Sequence, residues 1–168
     1  MKRQVVARTA GMILMVGALL GAGDRLQAND ESVVDRAARE QARRIEGVWH
    51  PIVTIRDCQT QAALFSFPSL AIYIRGGGLL AEASSPPATR ATGMGAWRHS
   101  GGRNFTSTYQ FFTYNADGSP AGGLKVSSQI RLSANGTTFH SSETGEDSDL
   151  NGHVIAQVCA TTEATRLQ

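Results

Sequence analysis

The sequence predicts an all-β domain in which eight antiparallel strands run up and down and curl into a barrel, with one helix in front of them. Three observations carry this expectation. Beyond Gly47 the apolar residues recur at every second position. The clearest case is Leu124, Val126, Ser128, Ile130 and Leu132, with Lys125, Ser127, Gln129, Arg131 and Ser133 between them. Successive strand residues point to opposite faces, so this pattern describes a sheet with one apolar face and one wet face. Turn chemistry separates the candidate strands at Gly76-Gly77, Gly101-Gly102, Asn115-Ala-Asp-Gly118, Ala134-Asn-Gly136 and Asp149-Leu-Asn-Gly152, and links this short make neighbours antiparallel. Finally, one helix cannot cover the apolar face of an eight-stranded meander, which gains by closing on itself and losing its open edges.

The chain opens with MKRQVVAR, an apolar run from Thr9 to Ala22 and a small residue at Ala28. A basic start, a short apolar middle and a small-residue exit are the order of a signal peptide, so residues 1–28 are expected to be removed on export, with a cut after Gly23 as the alternative. The apolar run is shorter than the roughly 20 residues a membrane-spanning helix needs, and no transmembrane segment is expected in the mature chain. The formal charge is +2; without the leader the 16 basic residues fall by four and the 14 acidic ones by one, which leaves −1. A nearly neutral domain has no basic stripe for a phosphate backbone, which argues against nucleic acid as a partner.

Residues 29–46 read as a helix, with Asn29, Asp30 or Ser32 as cap candidates and Val34, Ala37, Ala38, Ala42 and Ile45 on one face. The barrel domain then spans residues 47–166. Strands are expected at Val48 to Arg56, Ser69 to Arg75, Gly78 to Ala83, Gly93 to His99, Arg103 to Tyr114, Gly123 to Ser133, Thr137 to Thr144 and Gly152 to Thr162. Two links are longer. Asp57 to Pro68, with Leu64, Phe65 and Phe67, reads as a helical turn plugging one end. Ser84 to Thr92, with two prolines and no apolar anchor, reads as a mobile surface loop.

Cys58 and Cys159 are the two cysteines of the chain. In an oxidising compartment they are expected to pair, and closing a loop of about 100 residues contributes up to about 4.7 kcal/mol in the chain-entropy account. The pairing would join the regions of the first and last strands.

Gly47-Val48-Trp49, placed after a short helix and on the first strand, resembles the G-x-W signature of lipocalins and their calycin relatives. The resemblance implies an eight-stranded up-and-down barrel whose end is closed by Trp49, with Arg166 as the arginine expected to cover it. The block Gly93-Met-Gly-Ala-Trp97 with Gly101-Gly102 is similar to small exported bacterial proteins with lipocalin-like barrels. Together the resemblance extends from about Ile45 to Arg166. The central T-D-Y motif found in many lipocalins is absent from this chain.

Alternation places Phe105, Ser107, Tyr109, Phe111, Val126, Ser128 and Ile130 on the inner face. Rings interrupted by serines leave room that leucines would fill, so these residues are the candidate lining for a small hydrophobic or amphipathic ligand. A second expectation is a periplasmic or extracellular interaction module acting through Ser84 to Thr92 and exposed aromatics. A third is a small cyclase- or isomerase-like enzyme.

No nucleophile elbow, phosphate loop or H-E-x-x-H stands in the sequence, and no cofactor and no catalytic residue is expected. His50, His99, His140 and His153 lack metal-ligand spacing, although His50 and His140 could face one lumen. Asp147, Asp149 and Asn151, followed by Gly152, match the opening of a calcium loop, but its twelfth position is Val158 where a bidentate carboxylate belongs. Glu82, Glu143 and Glu163 are isolated carboxylates, expected mostly on the solvated outer face.

Overall fold

The computed structural model describes residue 40 and residues 44–84 and 89–168. The leader at residues 1–28 and nearly all of the helix expected at 29–46 lie outside the described residues.

Eight strands form one closed antiparallel barrel in sequence order. They are β1 (Gly47–Arg56), β2 (Ala63–Ile74), β3 (Gly78–Ala83), β4 (Gly93–Gly101), β5 (Asn104–Tyr114), β6 (Pro120–Leu132), β7 (Thr138–Ser148) and β8 (Val154–Arg166). Closure runs from Trp49↔Arg166 to Arg56↔Cys159, so β1 and β8 pair along most of their length and no strand edge is left open. Among the described residues no helix is long and apolar enough to cross a membrane.

Strand order makes the two ends of the barrel different. β1, β3, β5 and β7 rise or fall between the same two rims, and the starts of β1, β5 and β7 meet the ends of β2, β4, β6 and β8 at one of them. That rim is sealed. Ile45, Trp49, Tyr73, Trp97, Phe105, Ile130, Leu132, Phe139 and Ala164 form a continuous buried core there. The rings of Trp49 and Phe139 lie 4.9 Å apart, Tyr73 meets Phe139 edge-on at 5.9 Å, and Trp97 meets Phe105 at 6.1 Å. Both indole N–H groups find carbonyl acceptors, Trp49 on Ile45 at 2.8 Å and Trp97 on Ile74 at 3.0 Å, as buried donors must.

Arg166 caps this end. Its guanidinium lies 4.3 Å over the Trp49 ring and donates to the backbone carbonyls of Gly136 at 3.0 Å, Glu46 at 2.6 Å and Arg44. Gly47 makes this possible: its φ is +126°, and a Cβ there would stand 2.7 Å from Arg166 Nη1.

The outer wall is uneven. On β1 to β4 the outward residues Val48, Ile72 and Met94 stand in one cross-strand row with Leu80, and Leu70 and Ile74 flank it, each exposed. On β5 to β8 most outward residues are polar, among them Thr108, Gln110, Ser127, Gln129, His140 and Glu146, with Phe112, Val154 and Ile155 as exposed apolar exceptions. A lipid-facing barrel carries an apolar band all the way round; here the exposed apolar residues are concentrated on β1 to β4.

Two links depart from expectation. Residues 63–68 are strand, not a helical plug: Ala63 to Pro68 extend β2 and pair with β1 from Ile52 to Arg56. A short apolar run is compatible with either state, and here the turn decides. Asp57 Oδ1 accepts hydrogen bonds from Gln59 N, Thr60 N and Thr60 Oγ1, which confines the reversal to six residues and frees the rest to pair. Phe65 and Leu64 are left outside, each 60% exposed. The link at Ser84 to Thr92, read as lacking an anchor, has one. Arg90 bridges to Thr113, with Ala91 N donating to Phe112 O and Tyr114 N to Thr89 O. Residues 85–88 lie outside the described residues.

A candidate ligand site in the lumen

Cys58 and Cys159 form a disulfide at the opposite rim, with Cα atoms 5.2 Å apart. It joins the turn after β1 to the strand that β1 pairs with, so the mouth of the barrel is stapled at the closure seam.

Between the sealed core and this mouth the lumen is only partly filled. An upper cavity of about 60 Å³ is lined by Val53, Ile55, Phe67, Phe111, Leu124, Val126 and Val158, with Arg90, Tyr109 and Glu143 as its polar groups. Below it a second cavity of about 30 Å³ is bounded by Tyr73, Ser107, Tyr109, Ser128, Phe139, Glu143 and Thr162. A single water needs roughly 10–15 Å³ on this measure, so the two spaces suit a slim group and exclude a fused ring system unless the mouth widens. A broader depression of about 570 Å³, with Arg98, Thr108, Ser127 and Gln129 at its edges, lies over β4 to β6 and holds no buried charge.

Of the seven residues expected to line a site, five meet at these cavities: Ser107, Tyr109, Phe111, Val126 and Ser128. Phe105 and Ile130 belong instead to the packed core beside Trp97. The space beside Tyr109 depends on Gly93, where a Cβ would lie 2.8 Å from the Tyr109 ring.

Two polar groups of the lumen, Glu143 and Arg90, were not expected to line the site. Glu143 points inward because β7 alternates Phe139, Ser141, Glu143 and Gly145 on its inner face. Its Oε1 accepts hydrogen bonds from Ser141 Oγ and Thr162 Oγ1, both at 2.9 Å. Burial pushes its pKa above the usual carboxyl range, and the two hydroxyls pull weakly the other way. Tyr73 and Tyr109 are also pushed up, by burial first and by the neighbouring Glu143 second. Ser107 Oγ is buried and has no partner at hydrogen-bond geometry, although it lies close enough to Tyr73 to favour the phenolate slightly.

Arg90 stands at the mouth. Its guanidinium lies 3.8 Å over the Phe111 ring, and its hydrogen bonds to Ala91 O and Ala81 O are long, 3.4 and 3.5 Å.

The remaining candidates lie elsewhere. His50 and His140 both face outward, not into a shared lumen; the flanking Trp49, Pro51, Phe139 and Ser141 take the inner positions, and His140 meets Glu163 at 2.7 Å. Asp149 spends its carboxylate on its own turn, accepting from Asn151 N and His153 N and contacting the His153 ring, while Asp147 sits in β7. Among the described residues no three His, Cys, Asp or Glu side chains are grouped to hold a metal ion.

No protein-family model matches this chain, and no curated protein matches it.

Proposed function

We propose that this chain is an exported, lipocalin-like barrel that binds a small hydrophobic or amphipathic molecule in its lumen. The observation that carries the reading is the unfilled, mostly apolar space between the Trp49 core and the mouth, because a barrel that serves only as a scaffold fills its interior with side chains. Arg166 stacked on Trp49 beside Gly47 supports the lipocalin-like assignment. The Cys58–Cys159 disulfide supports export to the periplasm or beyond, where such bonds persist.

The test is a panel of medium-chain fatty acids, neutral alkyl compounds and environment-sensitive dyes, scored by melting temperature and by fluorescence. Saturable binding with a rise in melting temperature is expected. A panel that leaves both signals unchanged reduces the lumen to imperfect packing.

The apolar outer row favours a second reading, an interaction module that docks a protein partner on β1 to β4. Met94 is 66% exposed and Leu70 is 50% exposed, and contiguous apolar surface of this kind marks interaction sites. Replacing Leu70, Ile72 and Met94 with serine would abolish capture of a partner from envelope extract while leaving lumen binding intact.

A further inference from the structure

Glu143 sits where the two cavities meet. The groups facing it can be read strand by strand. β7 contributes Ser141, β6 Ser128 and β8 Thr162; Tyr73 of β2 and Tyr109 of β5 look across the lumen; β1 and β3 add Pro51, Val53, Leu79 and Ala81. Arg90 lies at the mouth and bears on Tyr109 rather than on Glu143. Among the described residues no lysine, arginine or histidine comes within ion-pair distance of Glu143.

A carboxylate in these surroundings, without a cation, is disfavoured against its neutral acid. The hydrogen bonds assign the proton. Oε1 takes both hydroxyl donors, which matches a carbonyl oxygen with two lone pairs. The proton therefore belongs on Oε2, for which no described residue supplies an acceptor. Tyr73 and Tyr109, kept neutral by burial, add no charge. The buried Ser107 hydroxyl, itself without a partner, lines the same lower cavity.

Resting on the lumen-binding reading above, we propose that the ligand is a slim apolar molecule carrying a neutral acceptor oxygen, a ketone, ester or ether, which accepts the Glu143 Oε2 hydrogen. An alkylammonium would require Glu143 to ionise and would have to pass Arg90. A plain hydrocarbon would leave the acid and Ser107 unsatisfied.

The probes are 2-octanone, n-octane and octylamine, titrated into the full mature protein and followed by ligand-observed NMR and calorimetry from pH 5 to pH 9. At low pH 2-octanone binds about tenfold more tightly than n-octane, the value of one hydrogen bond to a group otherwise left unpaired. As pH rises through the folded pKa of Glu143 the donor is lost, and this preference decays by about tenfold per pH unit until it is gone. Glu143→Gln keeps an N–H donor and cannot titrate, so it retains the preference without the pH dependence; a thermal melt confirms its fold. Should that variant not fold, the wild-type probe ratios across pH decide alone. Equal affinity for n-octane and 2-octanone overturns the proposal, as does octylamine binding that is tighter and strengthens with pH, or a pH slope that survives in Glu143→Gln. Failure of all three probes with the wild-type protein removes the lumen-binding reading, and this inference with it.

Discussion

Two arginines stack on aromatic rings at opposite ends of this barrel, and their surroundings differ. Arg166 covers Trp49 at 4.3 Å and gives its N–H groups to three backbone carbonyls from two segments, Arg44 and Glu46 before β1 and Gly136 before β7. Arg90 covers Phe111 at 3.8 Å, closer to its ring, but its two carbonyl contacts are long. Every nitrogen of the first guanidinium donates to a carbonyl, and the group acts as a rivet. The second keeps donors to spare at the entrance of the lumen. The ring contact is common to both, so it is the hydrogen bonds that separate a structural cation from an available one.

That contrast can be broken from either end. Trp49→Ala should cost most, about 3–5 kcal/mol in chemical denaturation, because it opens a void in a fully buried core. Replacing Cys58 and Cys159 with serine should cost about 2–4 kcal/mol, and the loss should equal that of the wild-type protein under reducing conditions. Arg166→Met should cost about 1–3 kcal/mol, since the carbonyls of Arg44, Glu46 and Gly136 lose their charged donor. Arg90→Met should change stability by no more than about 1 kcal/mol, yet alter the rate at which ligands leave the lumen. If Arg90→Met proved as damaging as Arg166→Met, the distinction between the two would collapse.

Glu143 supplies the finest test. Its folded pKa is raised, so the native state holds the proton more tightly than the unfolded chain. Its contribution is fully present below the unfolded carboxyl pKa and is lost as pH rises through the folded value. Glu143→Gln should therefore gain stability relative to wild type as pH increases, in melts compared between pH 4 and pH 9. Parallel curves for the two proteins would place the carboxyl group in water.

The barrel was legible because β5 and β6 alternate rings and aliphatics with polar residues, and glycine turns mark most strand ends. The site was only half legible. Phe111, Val126 and Ser128 follow from that alternation, whereas β7 puts Ser141, Glu143 and Gly145 on its inner face, so no apolar period marks which side is inward. Glu143 looked like a solvated carboxylate for that reason. Its orientation follows from the parity set by Phe139, the one large apolar residue of the strand. Arg90 had no such signal: its anchor is a ring 21 positions away, brought close only when the barrel closes. The extension of β2 was obscured by a turn whose geometry depends on the Asp57 side chain rather than on glycine.

The disulfide has a consequence for how the chain breaks. Cys58 and Cys159 are separated by 101 positions, so everything between them, including the segment after Ser84 and every hairpin turn from β2 to β8, belongs to one covalent ring. A protease that cuts any single bond in that ring linearises it without releasing a fragment. A nicked molecule keeps its full mass until it is reduced, and both pieces stay at hand for the strands that hold them. In a compartment where proteases are present and repair is not, damage to a loop need not end the life of the barrel.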